Sequence, residues 1–143
     1  IHHFLKVYSF AKTIGESENL STAEQELLEI AAIVHDIGIK VSEEKYNSSA
    51  GKYQELEGPR EAERLLANLG YEKTFIDKVC YLVGHHHTYG NIDTLPYQIL
   101  VEADFLVNLY EDNSSRRATE QAYDKIFRTK SGKNLLKIMF LTP

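Results

Sequence analysis

The chain puts histidine and aspartate where helical spacing asks for apolar side chains. In "IAAIVHDIGIK", residues 30–40, His35 and Asp36 stand side by side at the end of an apolar run. In "YQILVEADFLVNLYED", Asp104 shares one helical face with Leu100, Val101, Val107 and Asn108. His3 lies one turn before Val7, on a face that continues through Phe10, Ala11 and Ile14. An ionised carboxylate inside an apolar stripe is costly unless it is paired or bound to a metal. No other inward stripe supplies a Lys or Arg for Asp104. A helix C-terminus favours the imidazole of His35 but opposes the carboxylate of Asp36. Two imidazoles and two carboxylates from three helices suit one borderline or hard divalent cation, which satisfies all four at once. Glu102 falls on the opposite side of its helix from Asp104 and calls for no special partner.

These side chains need helices to carry them. Helical periodicity dominates and no run alternates with period two, so the expected fold is all-α: a compact bundle of about six to seven helices in a single domain, residues 1–143. The first helix covers residues 1–15. The second starts at a capping box, Ser21 with Glu24, carries Leu27, Leu28, Ala31, Ala32 and His35 inward, and ends near Gly38. Residues 39–57 are polar and non-periodic and are expected as a lid or binding loop. Further helices are expected over 58–68 with Pro59 in the first turn, 74–86, 96–111, 115–128 and 132–141.

Composition narrows the partners. The net charge is −5, with no basic stripe, so a nucleic-acid polymer is excluded as a natural partner. No apolar run approaches the roughly 20 residues needed to span a bilayer, and "IHHFLKV" lacks signal-peptide features. Since Ile1 already sits in a periodic helix, a few residues are expected before it. The single cysteine, Cys80, excludes a disulfide framework and suits a cytoplasmic location; it reads as a small buried hydrophobe.

The ordered set of His3, the His35–Asp36 doublet and Asp104 resembles the HD-domain superfamily of metal-dependent phosphohydrolases across nearly the whole chain. The resemblance implies a helical bundle with one divalent metal (Fe, Mn, Ni, Zn, Co or Mg) at His3, His35, Asp36 and Asp104. It also implies phosphomonoesterase or phosphodiesterase chemistry on a small phosphorylated substrate, a nucleotide for preference. Elementary chemistry agrees: a bound cation can lower the pKa of water towards about 7, and Asp36 could orient or deprotonate that water. In "GHHHTYG", His86 and His87 are candidates for substrate contact or acid catalysis, or for a looser second metal site with Glu55 or Glu57. Gln54 stands where members with a second metal carry a histidine, so a second metal is left open. Ile39 stands where some branches place Lys or Glu, so no branch is assigned. Lys40, Arg60, Arg64 and Tyr89 are candidate substrate contacts. The alternatives are a metal-containing module that senses a nucleotide without turning it over, and a di-iron oxygenase, which needs the full second ligand set.

Overall fold

The computed structural model describes residues 2–143. It contains helices α1 (His2–Ser17), α2 (Thr22–Val34), α3 (Ile39–Tyr46), α4 (Gly51–Asn68), α5 (Lys73–Val83), α6 (Leu95–Glu111), α7 (Arg116–Lys125) and α8 (Lys130–Leu136). A π-helical turn, Lys137–Leu141, continues α8, and no strand occurs among the described residues. The all-α expectation holds. None of the described helices is long and apolar enough to cross a membrane.

Helix α6 is the axis of the bundle. Every residue from Pro96 to Asp104 is buried, so α6 has no solvent face over that stretch. One side meets α1 and α2 through Val7, Ala11, Ile14, Leu28, Ala31 and Ala32, all fully buried. Another side is covered by α8 and the segment before it, where Phe127 and Leu136 are fully buried. Helix α2 also packs on α5, and α5 on α4. Ser21 and Glu24 form the expected capping box: the Ser21 hydroxyl accepts from Glu24 N, and the Glu24 carboxylate accepts from Ser21 N.

The segment expected as a long loop is instead α3 and the opening of α4, joined by a short link. Its residues include good helix formers, but the contacts that hold α3 come from α4 rather than from a strong apolar stripe of its own. Lys45 Nζ and Tyr46 Oη both donate to the buried Glu57, at 2.9 and 2.7 Å, and Tyr46 stacks on Tyr53. Asn47 ends α3 in the left-handed conformation. At the other end Gly38 is pressed against α4; a Cβ there would meet Gly58 N at 2.7 Å. That contact holds the turn carrying His35 and Asp36 against α4. Pro59 therefore lies inside α4 and not in its first turn. Cys80 is half-buried and donates through Sγ to Pro59 O.

Candidate metal centre

Three imidazoles converge on two carboxylates at one end of this core. His35 closes α2, and the turn that follows aims Asp36 towards α6. His86 lies in the turn after α5, and Asp104 sits in mid-α6. His3 comes from the first turn of α1.

The hydrogen bonds decide which imidazole nitrogens face inward. His35 Nδ1–H donates to Ala32 O at 2.7 Å, and His86 Nδ1–H donates to Val83 O at 2.7 Å. His3 Nδ1–H donates to Glu111 Oε1 at 2.8 Å. Each Nδ1 faces an acceptor and must carry the proton, so in the neutral ring each Nε2 is a bare lone pair. Those lone pairs face oxygen. His3 Nε2 lies 3.1 Å from Asp104 Oδ1 and 3.2 Å from Asp36 Oδ2. His35 Nε2 lies 3.3 Å from Asp36 Oδ2 and 3.4 Å from Asp104 Oδ1, and His86 Nε2 lies 3.5 Å from Asp36 Oδ1. The Nε2 atoms of His35 and His86 are fully buried with no hydrogen-bond partner. Acceptors facing acceptors in an enclosed site repel unless a positive charge lies among them, either a proton or a metal ion.

Without a metal, protons take that role. Asp104 foremost, with Glu111 and Asp36, raises the pKa of His3 to about 8 against the effect of burial. Burial opposes charge on His35 as well, yet Asp104 and Asp36 outweigh it and raise the pKa to about 10. Burial alone would raise both carboxylates. The imidazoles of His35 and His86 instead hold Asp36 below the ordinary carboxylate range, and those of His3 and His35 do the same for Asp104. The donor set fits a divalent cation. His3, His35 and Asp104 each offer a ligand atom within 4.8 Å of the others, and Asp36 Oδ2 borders the same two imidazoles.

Asp36, His86 and His87 form a second such group, also within 4.8 Å. Gln54 borders it. Its Nε2 donates to Ser49 O at 2.7 Å, which turns Oε1 towards His87 Nε2 at 3.2 Å. His87 Nε2–H is thus taken up by Gln54, and burial lowers the pKa of the ring. Neither glutamate suggested for a looser second site is free. Glu55 accepts from His87 N and Thr88 Oγ1, and Glu57 is held by Lys45 and Tyr46. His85 turns away, stacking on Tyr81.

The other candidates scatter. Tyr89 packs edge-on against Phe105, the neighbour of Asp104 in α6, and burial first, then the negative field of Asp104, pushes its pKa up to about 12. Lys40 is exposed at the start of α3, four residues after Asp36. Arg60 and Arg64 are exposed and line a surface depression with Leu56, Pro59 and Glu63, and Arg64 pairs with Glu61. They are not brought to the imidazole cluster, because the face of α4 that packs inward carries Gln54, Gly58, Ala62 and Leu66.

Two acids escape the sequence reading. Glu102 is fully buried, contrary to the expectation that it needed no special partner. Its Oε2 accepts from Gln98 Nε2, Arg128 N and Thr129 N, and its Oε1 accepts from Thr129 Oγ1. Glu111, which holds His3, lies seven residues after Asp104 and so on the same stripe of α6, a signal the sequence did contain.

Fold and site together define an all-α protein organised around a histidine–aspartate centre suited to a divalent metal. The chain belongs to the HD domain family, whose model matches residues 1–119. This places it in a superfamily of metal-dependent hydrolases. Among solved structures it is similar to a predicted HD superfamily hydrolase from an uncultured Thermotogales bacterium, with 23% identity and a TM-score of 0.68. That match covers 96% of this chain and 71% of the other, and it supports the fold. No curated protein matches at a significant level.

Proposed function

We propose that this chain is a metal-dependent phosphohydrolase that cleaves a phosphoric ester of a small phosphorylated molecule, a nucleotide for preference. The observation that carries the reading is the pair of buried, unpartnered Nε2 atoms of His35 and His86, turned with His3 Nε2 onto Asp36 and Asp104. A divalent cation held by His3, His35, Asp36 and Asp104 would supply an activated water and a positive charge for a phosphoryl oxygen. We assign a single cation, because Gln54 contributes an amide where the second group would need a further strong ligand. The same absence tells against the di-iron alternative.

The remaining roles belong to the chain. Asp36 is the more open of the two central acids, with 22% of its side chain exposed against 4% for Asp104. It stays ionised at neutral pH, so it can accept a hydrogen bond from an attacking water and orient it. His86 Nε2 faces the other oxygen of Asp36 at 3.5 Å. His87 is the more exposed of that pair and is the histidine open to substrate phosphate or to the leaving group. Lys40 is exposed a turn from Asp36 and Tyr89 packs on Phe105 next to Asp104, positions that suit the rest of the substrate.

The test is phosphate release from a panel of phosphorylated metabolites and model esters, with Mn²⁺, Co²⁺, Ni²⁺, Zn²⁺ or Fe²⁺ added in turn. Turnover lost in Asp36→Ala supports the reading. Ligand-dependent thermal stabilisation with no turnover on any substrate would instead favour the sensing module.

A further inference from the structure

We infer that Glu111 is a positioning residue that locks His3 onto the metal and sets how long the metal stays bound; the inference rests on the metal reading above, not on the reaction. The three inward-facing imidazoles are not held alike. His35 and His86 are fully buried, and each is fixed by a backbone carbonyl of its own turn, Ala32 O or Val83 O. Those acceptors cannot leave without unwinding the chain. His3 has no such anchor. Its ring is a quarter exposed, and its Nδ1–H is held by a side chain from the far end of another helix, Glu111 Oε1 at 2.8 Å. Glu111 is itself about a third exposed, and its second oxygen accepts from Lys6 Nζ at 3.3 Å.

Two consequences follow from that contrast. A carboxylate on Nδ1–H fixes the tautomer that leaves Nε2 as the lone pair and makes that nitrogen a stronger donor to a cation. It also closes the most open flank of the centre. Asp104, His35 and His86 are almost entirely enclosed, whereas His3, Asp36 and Glu111 border solvent. A cation that leaves on the His3 side passes that ring, and His3 can swing aside there only when its bond to Glu111 opens. Glu111 thus acts on the metal through His3 and touches neither metal nor substrate.

The experiment is Co²⁺ binding to the whole chain, read by competition with a chromophoric chelator, by the cobalt d–d spectrum and by the rate of release into excess EDTA. Glu111→Gln is expected to weaken Co²⁺ binding about 10- to 100-fold, the range found for outer partners of metal-bound histidines. Most of the loss should appear as faster release, with a perturbed d–d band. Glu111 is exposed at a helix end, so the variant should melt within a few degrees of wild type. In a His3→Ala background the same change should have no further effect, because the residue it works through is gone. Lys6→Gln removes a surface ion pair only and should change affinity less than about threefold. Equal affinity and release rate in Glu111→Gln and wild type would overturn the inference, as would an undiminished effect in the His3→Ala background. A wild-type chain that takes up no Co²⁺ would remove the metal reading and this inference with it, a result distinct from a metal-binding wild type that Glu111→Gln leaves unchanged.

Discussion

Asp104 and Glu102 stand two residues apart on α6, and both are buried almost completely, at 3% and 0% exposure. They are satisfied in opposite ways. Glu102 receives two backbone N–H groups, a hydroxyl and an amide at 2.6–3.0 Å, all of them donating to it. Among the described residues Asp104 Oδ1 faces imidazole nitrogens, at 3.1 and 3.4 Å, whose other ring nitrogens already hold the proton. One carboxylate is complete within the folded chain, and the other is complete only when positive charge is added. Burial of an acid is therefore no mark of function by itself. What distinguishes the functional acid is that its neighbours are acceptors.

The comparison is tested most strongly by removing each charge with little change of shape. Asp104→Asn should cut divalent-metal affinity by more than about 100-fold, beyond the cost of losing an outer-shell partner, and should abolish hydrolysis. Glu102→Gln should keep the metal but cost about 2–4 kcal/mol of stability, since a carboxamide turns donors onto buried donors. Calorimetric melting beside isothermal titration separates the two. If Glu102→Gln lost metal as completely as Asp104→Asn, the division between the two acids would fail.

A smaller effect should come from Gly132→Ala. A Cβ there would collide with Glu102 Oε1 and lie 2.8 Å from Thr129 Oγ1, so the Glu102 network must shift. The expected loss is about 1–3 kcal/mol by chemical denaturation, with metal affinity unchanged.

Much of the centre was legible because polar residues on apolar faces violate the helical pattern locally. His3, His35, Asp36 and Asp104 each did so, and the structure brings all four together. The capping box at Ser21 was equally readable, being confined to four residues. Glu102 was not, because three of its four donors lie at residues 128–129, brought back by the chain reversal between α7 and α8. On sequence spacing alone its side of α6 looked like the outer one. Helix α3 is hard to read in the sequence for a related reason: its ties to Glu57 and Tyr53 on α4 are tertiary, and its own amphipathic contrast is weak. Arg60 and Arg64, candidate substrate contacts on sequence grounds, are turned outward by the packing of α4.

A still smaller effect, in pH, bears on the Asp104 side alone. In the metal-free chain the folded pKa values of His3 and His35 are raised from 6.5 to about 8 and about 10. That stabilisation is complete below the unfolded value and is lost as pH rises through the folded ones. The metal-free protein should therefore melt at a lower temperature at about pH 9 than at about pH 6, while metal affinity rises over the same interval as protons stop competing. Glu102→Gln should leave this slope intact and Asp104→Asn should flatten it. A metal-free melting temperature that does not fall between those two pH values would contradict the cluster.

The account rests most directly on whether the histidine–aspartate centre holds a metal while the fully hydrogen-bonded acid beside it plays no part. Elemental analysis of the wild type, Asp104→Asn and Glu102→Gln settles that, after each is equilibrated with Mn²⁺, Fe²⁺, Co²⁺, Ni²⁺ and Zn²⁺ and freed of unbound metal. The expected result is one tightly held divalent ion per chain in the wild type and in Glu102→Gln, and none in Asp104→Asn. A folded wild type that retains none of the five, or an Asp104→Asn chain that retains as much as wild type, would contradict it.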